Sequence, residues 1–149
     1  MRSLELLACT ADDATFIFEV TRAAMRRHVE QTWGRWDDWD QRRRSDVSFD
    51  PTTHSVIMVN NERVGLVAVD RRDECLTLEK LYLWPRFQNR GIGSAVLRGL
   101  IAQARARSVP LRLRVLRGNP VRALYERFGF KVVRETEERV FLECTPGPS

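Results

Sequence analysis

Two stretches of the chain hold residue types whose spacing could support chemistry. The first is Gln88-Asn89-Arg90-Gly91-Ile92-Gly93, between a strand-like and a helix-like segment. The first turn of a helix has free N–H groups and the positive end of a dipole. Glycines let an anion approach that backbone closely. Arg86, Arg90 and Ser94 could add side-chain donors, so a pyrophosphate is the natural ligand. No Gly-Lys-Ser/Thr follows, which rules out a P-loop, and two glycines fall short of a dinucleotide fingerprint. Taken alone, the stretch reads equally well as a glycine-softened turn into an amphipathic helix. The second stretch runs from Asn119-Pro120 through Ala123-Leu124-Tyr125 to Gly129-Phe130. Its Tyr125 carries a phenol, a proton donor with a pKa near 10. By itself, Tyr125 reads first as a core aromatic on a short amphipathic helix.

The elements that must position these residues can be read from periodicity and punctuation. Leu4 to Ala8 reads as a strand, and Thr10 to Asp13 resembles a helix N-terminus with an acid on the third residue. Phe16, Ile17, Val20, Ala23 and Ala24 then follow helical spacing. A second helix is expected over Trp36 to Asp46. Strands are expected over Ser55–Val59 and Arg63–Asp70, joined by Asn60-Asn61 as a tight hairpin turn. Cys75 to Leu83 is a longer strand, stopped by Pro85. Gly91 to Arg107 is an amphipathic helix with Ile92, Val96, Leu97, Leu100, Ile101 and Ala104 on one face. Leu111–Val115 alternates as a strand, Pro120–Phe128 is a short helix with Asn119 as N-cap, and Phe130–Glu135 and Val140–Cys144 are final strands. The strand–helix–strand unit from Cys75 to Leu116 should be a parallel right-handed crossover. The expected fold is α/β: a central mixed, mostly antiparallel sheet with one parallel β-α-β crossover and helices on both faces. A single domain over residues 1–145, with a short tail at 146–149, fits the length of 149 residues.

Taken together and in this order, Leu81-Tyr82-Leu83-Trp84-Pro85, Gln88 to Gly93, and Asn119 to Phe130 resemble the GNAT superfamily of acetyl-CoA-dependent N-acetyltransferases. The matching core covers about Cys75 to Val133. The resemblance implies that the backbone of Gln88, Asn89, Arg90, Gly91, Ile92 and Gly93, with Ser94, binds the pyrophosphate of coenzyme A. It implies that Leu81, Tyr82 and Leu83 pair through their backbone with the pantetheine arm, admitted where two parallel strands splay apart. Asn119 would hydrogen-bond the cofactor, and Tyr125 would stand near the thioester sulfur as the acid. Glu79, two residues before the pantetheine segment, is where such enzymes place a base or a water-ordering acid. An ion pair with a neighbouring arginine is an equal reading for Glu79.

An amine acceptor arrives mostly protonated. The stretch from His28 to Asp40, with Glu30, Trp33, Trp36 and Trp39, is the candidate acceptor wall. If helical, the tryptophan spacing puts all three on one side. Its acids could attract a cation and its indoles could hold one. The other reading is a tryptophan cluster sealing the helices onto the sheet, and both can hold at once, with Trp33 or Trp36 lining the pocket and Trp39 packing. His28 and His54 are weaker candidates for the base.

Composition trims the remaining classes. No apolar run approaches the roughly 20 residues of a membrane span, and the N-terminal residues lack a secretory h-region. Cys9, Cys75 and Cys144 are far apart and odd in number, with no zinc spacing, which fits reduced thiols in a cytoplasmic protein without a metal. Of 25 basic residues, 23 are Arg, and only Lys80 and Lys131 are Lys. That excess could signal nucleic-acid binding, but the arginines are scattered among acids, so no nucleic acid is expected as a partner. The reading is an N-acetyltransferase that moves an acetyl group from acetyl-CoA to a primary amine of a small molecule or peptide by direct attack in a ternary complex. The alternative is a non-catalytic acyl-CoA-binding sensor, which would not need Tyr125 or Glu79. A homodimer is left open, with the edge of the last strands as the place to look.

Overall fold

The computed structural model describes residues 3–146. In chain order they form β1 (Leu4–Ala8), α1 (Ala14–Trp33), α2 (Asp38–Ser48), β2 (His54–Val59), β3 (Glu62–Arg71), β4 (Leu76–Leu83), α3 (Ile92–Ala106), β5 (Leu111–Leu116), α4 (Val121–Arg127), β6 (Lys131–Glu135) and β7 (Arg139–Cys144). Short 3-10 turns occupy Ala11–Asp13 and Pro85–Phe87. Each element expected from the sequence is present. Apart from Pro146, the expected tail lies outside the described residues.

The chain clusters into two compact units, each built from two segments. One unit comprises the residues up to Ala68 and Lys80–Gly93; the other comprises Val69–Glu79 and the residues from Ser94 onward. Strands β3 and β4 contribute to both, and the seven strands follow the order β1-β2-β3-β4-β5-β7-β6.

In the first unit, β1 pairs antiparallel with β2, from Leu4 opposite Val59 to Ala8 opposite Ser55. Asn60 and Asn61 turn the chain back with φ of 51° and 66°. Two consecutive left-handed residues are what a type I′ hairpin requires, and asparagine tolerates that region. The β2–β3 register then slips: Ile57 faces Gly65 while Met58 faces Arg63, which leaves Val64 as a bulge. Helix α1 seats Ile17 and Val20 against Cys9, Val56 and Leu66, with Phe16, Tyr82 and Trp84 packed around them. The Thr10 backbone N–H donates to the Asp13 carboxylate at 2.8 Å, and Arg63 pairs with the same carboxylate at 3.1 Å. That acid satisfies a helix-start donor, as the sequence spacing suggested.

Helix α1 ends at Gly34, whose φ of 89° closes a left-handed cap. Trp36 therefore lies in the link, and Asp37 starts a new helix by accepting from the Asp40 N–H at 3.0 Å. The three tryptophans do not share a helical face, because the helix expected to carry them stops between the first and the second.

In the second unit, β4 and β5 pair in parallel, from Leu76 opposite Leu111 to Leu78 opposite Leu113, and α3 forms the crossover. β7 pairs antiparallel with β5 on one side and β6 on the other, with a slip that leaves Val133 as a bulge in β6. Leu76, Leu78, Leu111, Leu113, Val140, Leu142 and Cys144 are buried, as are Leu97, Leu100, Ile101 and Ala104 of α3. Residues alternate between the two faces of a strand. Thr77, Glu79, Arg112, Arg114, Phe141 and Glu143 therefore occupy the opposite face, where none of them is buried.

Candidate functional site

The turn into α3 belongs to the first unit. Asn89 and Gly91 both adopt left-handed φ, of 60° and 83°. Gln88, Asn89, Arg90 and Gly91 are exposed, and nothing lies within 4 Å of where a Gly91 Cβ would stand. The backbone at the mouth of the 15-residue α3 is thus open to solvent on its N-terminal side. Such a surface suits a phosphate. Phe87 is flanked by two cations, with the Arg86 guanidinium 4.7 Å and the Arg90 guanidinium 5.7 Å from its ring centroid. Arg86 also reaches Glu62 at 3.3 Å, an exposed pair that contributes little to stability but holds the side chain near the turn.

The residues of this stretch do different work. The Gln88 side chain donates to the Leu83 carbonyl at 3.1 Å, so it ties the turn to the end of β4. The Ile92 side chain is buried, which leaves its backbone as the part able to meet a ligand. Gly93 and Ser94 are half-buried on the first turn of α3.

The segment Leu81-Tyr82-Leu83 of β4 runs into this turn. Leu83 is buried, and Tyr82 packs against the core under α1. Beside it, β3 comes unusually close. A Cβ on Gly65 would overlap the Tyr82 carbonyl oxygen and stand 2.7 Å from Leu83 Cδ2 and 3.0 Å from Leu83 Cα. Sequence reading passed over Gly65, and a lone glycine inside a strand is the signal that could have found it.

Tyr125, Asn119 and Glu79 belong to the second unit. Tyr125 is 5% exposed and meets the Phe130 ring edge-on, centroids 5.6 Å apart. The Asn119 side-chain oxygen accepts from the Val121 N–H at 3.0 Å, so it caps the start of α4 as expected. Its amide N–H₂ remains able to donate to a ligand. Glu79 is exposed, and none of the ion pairs among the described residues involves it.

The acceptor candidates of the first unit mostly hold the helices together. Trp36 stacks on Phe18 at 6.5 Å and donates its indole N–H to Asp38 at 2.6 Å. Arg22 pairs with the same Asp38 at 3.0 Å, and the Trp36 hydrogen bond, helped by Arg22, lowers that carboxyl below its ordinary range. Arg22 and Arg42 both lie over the Phe18 ring. Trp36 therefore packs, whereas Trp39 is 70% exposed beneath the Arg43 guanidinium, the reverse of the expected division. The reason is that Trp36 sits in the link, against α1, while Trp39 starts on the outer side of α2. Trp33 is half-exposed, and Glu30 pairs with Arg26 at 3.7 Å. His28 keeps a buried Nδ1 without a partner among the described residues. His54 is buried and bonded through Nδ1 to the Asp50 carbonyl at 3.0 Å. Burial, with Lys80 nearby, pushes its pKa down to about 4, so it is neutral near pH 7.

All three cysteines are free and buried, and burial with Asp13 pushes the Cys9 thiol up to about 11. Among the described residues, no group of His, Cys, Asp or Glu is arranged to hold a metal ion, and no helix is long and apolar enough to cross a membrane.

Comparison with known proteins agrees with this arrangement. The fold is similar to that of the PaiA N-acetyltransferase of Thermoplasma acidophilum, solved with coenzyme A, at a TM-score of 0.74 and 18% identity over 96% of this chain and 99% of that one. It is similar to an acetyltransferase of Thermus thermophilus (TM-score 0.73, 21% identity, 96% and 97% covered). It also resembles the ribosomal-protein-S18-alanine N-acetyltransferase of Escherichia coli (TM-score 0.71, 17% identity, 100% and 96% covered). No curated protein sequence matches the chain. Residues 15–130, which hold the glycine turn, the end of β4 and all of α4, match the model of the acetyltransferase (GNAT) family, and the chain belongs to that family.

Proposed function

We propose that this acetyltransferase moves an acetyl group from acetyl-CoA to a primary amine of a small molecule or peptide by direct attack in a ternary complex. The observation that carries the reading is the open, left-handed turn at Asn89 and Gly91, which presents backbone N–H groups and the start of α3 beside Arg86 and Arg90. That is a cradle for the diphosphate of a nucleotide-bearing donor. Acetyl-CoA supplies the acyl group as a thioester. The backbone of Leu81, Tyr82 and Leu83 aligns its pantetheine arm, and Asn119 donates its free amide N–H₂ to it.

The chemistry assigns roles to the remaining residues. The acceptor must lose a proton, which Glu79 takes through water. The neutral amine then forms the new N–C bond. A backbone N–H at the end of β4, that of Leu81, holds the charge that develops on the carbonyl oxygen. As the C–S bond breaks, Tyr125 gives its phenolic proton to the leaving sulfur. No cysteine is assigned a part, since Cys75 precedes β4 at the end away from Leu81 to Leu83. The acceptor enters beside Trp33, with His28 and Glu30 on the same helix and Trp36 fixing the wall behind them.

A thiol-release assay with acetyl-CoA and a panel of polyamines, amino acids, aminoglycosides and peptides tests the reading. Release should require one class of amine, and Tyr125→Phe should lower turnover more than it weakens donor binding. Donor binding without release for any amine would turn the assignment to an acyl-CoA sensor.

A further inference from the structure

The outer face of the second unit holds a charge pattern that the proposed reaction does not use. The strand registers line it up in two rows. Glu143 stands opposite Arg112 on one side and Lys131 on the other, and Thr77 lies opposite Arg112 across β4. In the next row, Phe141 stands between Arg114 and Arg134. Alternation along β4 puts Glu79 on this same face, one residue beyond the last β4–β5 pair, Leu78 opposite Leu113. The Arg134 guanidinium lies 4.1 Å from the centre of the Phe141 ring. Arg112 is tied to Glu143 at 2.8 Å. The ion pairs among the described residues leave Arg114, Lys131 and Arg134 without an acid, and all three are exposed. The scatter of arginines along the sequence hides this grouping; it appears only once the strands are in register.

From Glu79 outward the face therefore changes sign, with the acid on β4 and the two cations Arg114 and Arg134 beyond it, on either side of Phe141. On the reading of Glu79 as the base, we infer that the acceptor is a peptide whose N-terminal amine is followed closely by carboxylate side chains. The amine is held at Glu79 while the acidic residues lie over Arg114, Phe141 and Arg134. Spacing sets the positions. Arg114 lies one strand and Arg134 three strands from β4, and paired strands lie about 4.8 Å apart, so the two cations stand about 5 Å and about 15 Å out across the ladder where it is paired. An extended peptide advances about 3.3 Å per residue, so the acids belong roughly two to five residues after the amine. A polynucleotide would also meet the cations, but its phosphates would be repelled by Glu79. A chain that begins with an ammonium and continues with carboxylates complements both ends of the row.

The test uses the full chain with coenzyme A bound and three fluorescent peptides that share one N-terminal residue but carry glutamate, serine or lysine tails. Anisotropy measures binding, and thiol release from acetyl-CoA measures transfer. The glutamate tail should bind about tenfold more tightly than the serine tail at low salt, and that preference should fade by about 0.5 M salt as screening sets in. Arg114→Glu should bring the ratio between those two tails to near one, and Arg134→Glu should do the same. Equal binding of the three peptides, or a glutamate preference that survives both substitutions, would overturn the inference. An oligouridylate that competes as well as the glutamate peptide would overturn the assignment to peptide. Retained glutamate preference without transfer to any peptide would support the surface while refuting the transferase role of Glu79.

Discussion

Replacing Gly65 by alanine adds one methyl group where β3 presses on the end of β4. The new Cβ would overlap the Tyr82 carbonyl oxygen and approach Leu83 Cδ2 to 2.7 Å and Leu83 Cα to 3.0 Å. Carbon atoms rest at about 3.5–4.0 Å, so relief requires a shift of about 1 Å. The leucine side chain can turn away, but a carbonyl oxygen and a Cα move only with the strand. Overpacking costs about 1–3 kcal/mol, and a clash with backbone belongs at the top of that range. For a chain of this size about 3 kcal/mol lowers Tm by about 6–12 °C. The displaced backbone is the one proposed to align the pantetheine arm. A misplacement of about 1 Å near the reacting atoms can lower turnover about 100-fold. The glycine turn at Gly91 lies beyond the clash. Calorimetric titration should therefore show weakened binding of coenzyme A, whereas adenosine 3′,5′-bisphosphate, which lacks the pantetheine arm, should bind with wild-type affinity. A variant with unchanged Tm and unchanged coenzyme A affinity would refute the reasoning. Equal loss of both ligands would show that the substitution acts on the whole unit rather than on the strand end.

Tyr125→Phe should lower kcat for thiol release by about 10²–10⁴-fold, the usual worth of a general acid, with the coenzyme A dissociation constant changed less than threefold. His54 has a native pKa of about 4 against an ordinary 6.5, so the unfolded chain binds its proton first on acidification. Its contribution to stability is therefore complete above about pH 6.5 and is lost as pH falls towards 4. Thermal melts across that window should slope more steeply for the natural protein than for His54→Asn. Asn61→Ile forces a β-branched residue into left-handed φ and should cost about 1–2 kcal/mol, measured by urea unfolding. With all three thiols buried, an aromatic disulfide reagent should titrate none of them in the native state at pH 8 and all of them in denaturant.

The features legible in the sequence were those set by local rules. Asn60-Asn61 announced its hairpin because few residues accept that backbone, and α3 announced itself through the buried stripe from Ile92 to Ala104. The glycine turn was legible for the same reason. The tryptophan triplet misled because spacing alone assumes an unbroken helix. Gly34 breaks it, and the Asp37 cap restarts it on a new axis. Neither the contact of Gly65 with β4 nor the row from Glu79 to Arg134 could be read in advance. Each depends on which strands are neighbours and in what register, and the β3 and β6 bulges shift that register by a residue.

The division of the chain into interleaved segments also bears on its birth on the ribosome. The segments of the first unit end at Gly93, so all of them have been made before α3 and the last strands are complete. The second unit also takes in the residues from Ser94 to Cys144 at the end of β7. At about 5–20 residues per second, synthesis of that remainder takes roughly 3–11 s. Throughout this interval Leu76 and Leu78 of β4, buried in the finished protein, wait without the β5 strand that later pairs with them. That apolar ribbon, flanked by Arg71, Arg72, Asp73 and Glu74, is the part of the nascent chain a chaperone would have most reason to hold.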